Sequence, residues 1–146
     1  MKWIKYIVVL ASVCLLSACE VNNSVAIIDA WARANAPGQS VGAAYMTLIA
    51  AQDSTMIKAE SAIASSVEIH SMTMDNGVMK MRMLEELSLT AGKPEKLAPG
   101  GFHLMLFDLK KQLIVGESVE ITLNFKDNTG KISQQTIALP IKESAD

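Results

Sequence analysis

Between residues 118 and 125 the chain alternates without a fault: Val119, Ile121, Leu123 and Phe125 are apolar, while Glu120, Thr122 and Asn124 are polar. Successive side chains of a strand point to opposite faces, so this stretch reads as a strand with one face buried. Comparable runs predict strands over 25–33, 42–49, 55–62, 66–74, 78–84, 102–107 and 131–139. Turn chemistry separates them at Ala36-Pro37-Gly38, Asp75-Asn76-Gly77, Pro99-Gly100-Gly101 and Asp127-Asn128-Thr129-Gly130. No stretch carries a convincing helical stripe. The pattern predicts an all-β fold, a small antiparallel barrel or sandwich, in one domain over residues 25–141. Residues 142–146 read as a polar tail.

The first residues break this rhythm. Lys2 and Lys5 precede an apolar run over residues 7–16, which is too short for a membrane-spanning helix of about 20 residues but fits a signal peptide. The run ends in Leu16-Ser17-Ala18-Cys19, which resembles a bacterial lipobox. The expectation is cleavage after Ala18, a lipid on the Cys19 thiol, and a short tether over residues 19–24. That places the domain on the periplasmic side of a bacterial membrane, and Glu20 after the cysteine favours the outer one. The segment also accounts for much of the mean hydropathy of +0.26.

Removing 18 of 146 residues takes Cys14 with them, and a lipidated Cys19 leaves no free thiol. Disulfides, thiolate nucleophiles, CxxC redox chemistry and cysteine-bound zinc are excluded together. The charge balance of 13 Lys and Arg against 15 Asp and Glu argues against nucleic acid, whose binders carry a basic excess.

Nine methionines against seven aromatic residues are the compositional oddity. Both histidines are followed two positions later by methionine, as His70-Ser71-Met72 and His103-Leu104-Met105. Residues i and i+2 of a strand share a face. Each pair therefore projects an imidazole beside a thioether. Val67 and Ile69 supply the core face of the first strand, and Phe102, Leu104 and Leu106 that of the second. Both His-x-Met pairs thus point away from the core towards water.

Between them Met72, Met74, Met79, Met81 and Met83 flank Asp75-Asn76-Gly77. A two-residue turn centred on Asn76-Gly77 sets Met72 opposite Met81 and His70 opposite Met83; one centred on Asp75-Asn76 sets His70 opposite Met81. Both remain open at this level, as does a three-residue loop. Neutral thioethers and imidazoles favour Cu(I) over zinc, calcium or magnesium. Met79 and Met83 read instead as ordinary core filling, since Lys80 and Arg82 occupy the opposite face.

From His70 there are ten residues before Met81, twenty-one more before His103, and one before Met105. This arrangement resembles the H-(M)-x10-M-x21-H-x-M signature of the PCu(A)C periplasmic copper chaperones. Ala30-Trp31-Ala32-Arg33, Gly42-Ala43-Ala44-Tyr45-Met46-Thr47, Gly77-Val78-Met79-Lys80-Met81-Arg82 and Pro99-Gly100-Gly101-Phe102-His103-Leu104-Met105-Leu106 resemble blocks of the same family. The resemblance implies a cupredoxin-like β-barrel and Cu(I) bound by His70, Met81, His103 and Met105, with Met72 as an auxiliary donor. It also implies a monomeric carrier delivering copper towards the dinuclear centre of cytochrome oxidase, to its copper-bearing subunit or a Sco-type protein. Two stretches depart from the family pattern: Ala50-Ala51-Gln52-Asp53 replaces an Asn/Gly-type turn, and Phe107-Asp108 stands where Met and Gly are common.

Cu(II), held through histidine and water, is a second candidate ion. A blue-copper electron carrier would need a cysteine thiolate. No Ser-His-Asp spacing or paired-carboxylate motif indicates an enzyme. The remaining alternatives are a structural or adhesive β-sandwich lipoprotein with no metal role and a periplasmic copper storage or tolerance protein.

Overall fold

A computed structural model describes residues 24–143; the expected signal peptide, Cys19 and most of the tether lie outside the described residues. Ten strands follow in chain order: β1 (Val25–Arg33), β2 (Gly42–Ala50), β3 (Ser54–Glu60), β4 (Ser66–Asp75), β5 (Val78–Leu84), β6 (Leu87–Leu89), β7 (Glu95–Leu97), β8 (His103–Phe107), β9 (Ser118–Asp127) and β10 (Ile132–Lys142). Helix is absent among the described residues. Two strands, β1 and β5, have the bounds the alternation predicts. β10 runs on through Lys142, one residue into the stretch that reads as a polar tail.

The strands hydrogen-bond in the order β5-β4-β8-β2-β1-β10-β9-β3-β6, with β7 also on β2. A further pairing of Ala59 on β3 with Val67 on β4 closes the path from β4 round to β3 into a barrel. Closure joins β3 to β4 and leaves only β5 and the short β6 at the ends of the path as edges. The antiparallel expectation needs one correction. β1 and β10 run parallel, with Ala32 facing Ile141. Parallel neighbours need a long connection, and the whole chain between the first and last strands supplies it.

The alternation of β9 is realised as read: Val119, Ile121, Leu123 and Phe125 are buried in the core with Met46, Leu48, Met56, Leu104 and Leu139. Asp127 closes the turn to β10, its Oδ1 accepting hydrogen bonds from the Thr129 and Lys131 amides at 2.8 and 3.0 Å. Pro99-Gly100-Gly101 likewise forms a turn, with the Gly101 amide donating to the Ala98 carbonyl at 3.0 Å. β6 and β7, three residues each, add to the strands the alternation predicts, since such short runs show no periodicity.

β8 pairs with β4 only over residues 66–70, whereas β5 pairs with β4 over residues 69–75. The outer half of the β4–β5 hairpin therefore stands clear of the barrel. This overturns the reading of Met79 and Met83 as core filling: they are 59% and 58% exposed, beside Met74 at 66%. The barrel supplies no second layer for β5 to pack against, so neither of its faces is buried.

Core and hairpin should thus respond differently to truncation. Phe125→Ala removes a fully buried ring and is expected to cost about 3–5 kcal/mol. Met79→Ala should stay within about 0.5 kcal/mol of the parent. Urea unfolding of both variants checks the contrast, which fails if the two losses are alike.

Candidate metal centre

Asn76 and Gly77 both have positive φ, 51° and 78°. Positive φ at both central residues is the type I′ geometry that suits a two-residue hairpin, and Asn-Gly is its preferred dipeptide. The turn fixes one register: His70 faces Met83, Met72 faces Met81, and Met74 faces Met79. Of the registers the sequence leaves open, the structure adopts the one centred on Asn76-Gly77.

On the other side of β4, Ile69 faces Leu104 and His70 faces His103. Ile69 and Leu104 are both core residues, so the next position on each strand turns outward. His70, Met72, Met81, His103 and Met105 consequently share the outer face of the adjacent strands β5, β4 and β8. The two imidazole centroids are 5.8 Å apart. His70 also lies 6.0 Å from the Phe107 ring. His103 and Phe107 flank Met105 on β8, so the His70 ring leans over the stretch that carries Met105. Met81 is 48% exposed, and His70, Met72 and Met105 are partly buried.

His103 departs from its water-facing expectation. It is on the outer face but only 4% exposed. Tyr45 on β2 lies 6.4 Å from its ring and His70 covers another side. Tyr45 is in turn held by Trp31, centroids 4.7 Å apart, with the Arg33 guanidinium 5.3 Å above the Tyr45 ring. Burial pushes the Tyr45 phenol above its usual range, partly offset by the Arg33 charge. The phenol is therefore neutral at physiological pH.

The hydrogen bonds of the histidines determine which nitrogens are free. His103 Nδ1 lies 3.0 Å from the Gly101 carbonyl, which can only accept. Nδ1 thus carries the proton in the neutral ring, and Nε2 keeps its lone pair. The same Gly101 oxygen accepts the Met72 amide at 3.1 Å. His70 Nε2 lies 2.8 Å from the Glu68 carboxylate, leaving Nδ1 buried with no hydrogen-bond partner. An unpaired buried nitrogen is costly unless something binds it. A carboxylate or carbonyl behind a metal-binding imidazole is the usual way its tautomer and orientation are set.

No three His, Cys, Asp or Glu side chains gather as a metal site among the described residues. On this face the two imidazoles stand among thioethers, which are soft, neutral donors. Two imidazole lone pairs with Met81 and Met105 at hand fit Cu(I).

Sequence reasoning missed Glu68 and Gly101 as supporting residues. The signal for Glu68 was present, since it lies two residues before His70 and hence on the same face. Tyr45 lies within a recognised block, which carries no sign that its ring stands beside His103. Asp108, where glycine is common in the family pattern, takes φ of 50°, a conformation that Asp tolerates better than most residues.

Comparison with known proteins agrees with this architecture. The sequence profile of the LpqE-like family matches residues 25–141. A protein of Leifsonia xyli subsp. xyli, named as a lipoprotein, is 30% identical over 122 residues, covering 83% of this chain and 71% of its own. Among solved structures, Cu(I)-bound DR1885 from Deinococcus radiodurans is 30% identical with a TM-score of 0.62, over 80% of this chain and 78% of that one. The copper-bound PCuAC domain of PmoF2 is 25% identical with a TM-score of 0.66, over 81% and 92%. The chain belongs to the LpqE-like family, and its all-β barrel is the cupredoxin-like fold of PCuAC domains.

Proposed function

We propose that this protein is an extracytoplasmic copper chaperone that carries Cu(I) on His70, Met81, His103 and Met105, with Met72 as an auxiliary donor. The observation that carries the reading is the cross-strand pair of histidines, each with one ring nitrogen fixed by an oxygen acceptor and one left as a lone pair. The copper bound by solved PCuAC neighbours supports it. Release proceeds by ligand exchange without redox change: a thioether–copper bond breaks as a donor of the recipient forms its own. Met81, the most exposed of the four, is the donor that an incoming protein displaces first. Neutral donors hold a monovalent ion less tightly than thiolates would, which suits transfer.

The family resemblance extends the proposal to delivery towards the dinuclear copper centre of cytochrome oxidase, directly or through a Sco-type protein. The lipobox at Cys19 extends it to a lipid-tethered protein on the periplasmic side of the membrane. The lipoprotein name of the Leifsonia xyli relative supports this location. The reading is of a carrier, not an enzyme.

Titration with Cu(I) against a chelator of known affinity tests the donor set. Glu68→Ala, which frees the His70 ring, should weaken binding roughly 10-fold, within the range expected for a supporting partner. His70→Ala and His103→Ala should each cost more. Wild-type affinity in both histidine variants rejects the reading.

Acidification gives a second check. Imidazole must lose its proton to bind a metal, whereas thioether is indifferent to pH. The affinity lost on His103→Ala should accordingly be large at neutral pH and shrink in acid. An equal loss at every pH speaks against imidazole ligation. X-ray absorption of the loaded protein should count both nitrogen and sulfur donors.

A further inference from the structure

Four thioethers, Met72, Met74, Met79 and Met83, lie beyond the four proposed ligands on the same face, and none of them belongs to the barrel core. Met46 and Met56 are fully buried and act as core. Met74 and Met79 are instead 66% and 59% exposed at the tip of the β4–β5 hairpin. They face each other directly, and the next pair inward is Met72 with Met81. Directly opposed residues have Cβ atoms about 5 Å apart, and diagonal neighbours about 7–8 Å, within reach of long flexible side chains. Exposing methionine here gains nothing in stability, because β5 buries neither face.

The hairpin's other face is charged. Lys80 faces Thr73 and Arg82 faces Ser71, and Lys80 also makes an ion pair with Asp75. The charges are thus segregated from the sulfurs. The thioether face offers only neutral, soft, freely rotating donors, which is a chemical match for a monovalent soft cation.

We propose that Met74, Met79 and Met72 form a second, outer Cu(I) position, from which the ion passes along the Met72–Met81 pair to the histidine site. Met74 lies four residues along β4 from His70, about 13 Å at the rise of a strand. The Met72–Met81 pair lies midway, so neither step asks the ion to leave sulfur before new donors reach it. The outer step exchanges one thioether–copper bond for another, and the inner step exchanges a thioether–copper bond for bonds to the free imidazole nitrogens of His70 and His103, with no electron transferred and no proton released. This inference rests on the Cu(I) reading of the inner site and adds to it an ordered route for the ion.

The test is an anaerobic Cu(I) titration followed by NMR of protein labelled with 13C at the methionine methyl groups. In the wild type, the first equivalent should shift Met81 and Met105, with Met72 following as their auxiliary donor, and a second, weaker one should shift Met74 and Met79. The double variant Met74→Leu/Met79→Leu keeps the apolar surface; it should lose the second phase, retain the first, and load its inner site more slowly. The double variant His70→Ala/His103→Ala should lose the tight phase yet still bind one ion through sulfur alone, as read by X-ray absorption. A wild type that binds a single ion, with Met74 and Met79 unmoved and loading unaffected by their replacement, overturns the outer position and leaves the inner one standing. A wild type that binds no Cu(I) overturns both.

Discussion

The pairing of β4 with β8 is the constraint on which the site depends. Ile69 faces Leu104, and both are buried. Because side chains alternate with a period of two, this hydrophobic contact forces His70 and His103 side by side on the opposite face. A slip of one residue would send the imidazoles into the core and the aliphatics into water. The core thus sets the register, and the register brings together two imidazoles separated by 32 intervening residues.

The barrel and the hairpin divide the work between them. β8 and the inner half of β4 belong to the closed barrel, where Tyr45, itself held by Trp31 and Arg33, lies beside His103. The outer half of β4 and all of β5 project beyond it, carrying thioethers into solvent. One side of the candidate site is consequently sheltered from water, with His103 buried, whereas the other is open, with Met81 exposed. Lys80 and Arg82 on the opposite face also blunt β5 as an edge strand, where charge discourages pairing with a second chain.

Much of this was legible in the sequence because it rests on local periodicity. The alternation at residues 118–125, the strand bounds of β1 and β5, and the Asn76-Gly77 turn are properties of a few adjacent residues. The resemblance of the His and Met spacing to PCu(A)C chaperones pointed to the right family. What could not be read depends on contacts distant in the chain. The parallel pairing of β1 with β10 joins opposite ends of the domain, and the burial of His103 comes from Tyr45, 58 positions earlier. Met79 and Met83 were misread because an apolar alternation does not reveal whether a second layer exists to cover it. The free nitrogens of the two rings were equally hidden, since they follow from Glu68 and from a turn carbonyl.

That carbonyl has a wider effect. The Gly101 oxygen accepts both the Met72 amide and the His103 ring proton. One atom thereby pins the backbone of the projecting arm and the orientation of the sheltered imidazole. The two halves of the site cannot drift independently. Any push that displaced the Pro99-Gly100-Gly101 turn would loosen both at once, making this turn a single latch for the whole cage.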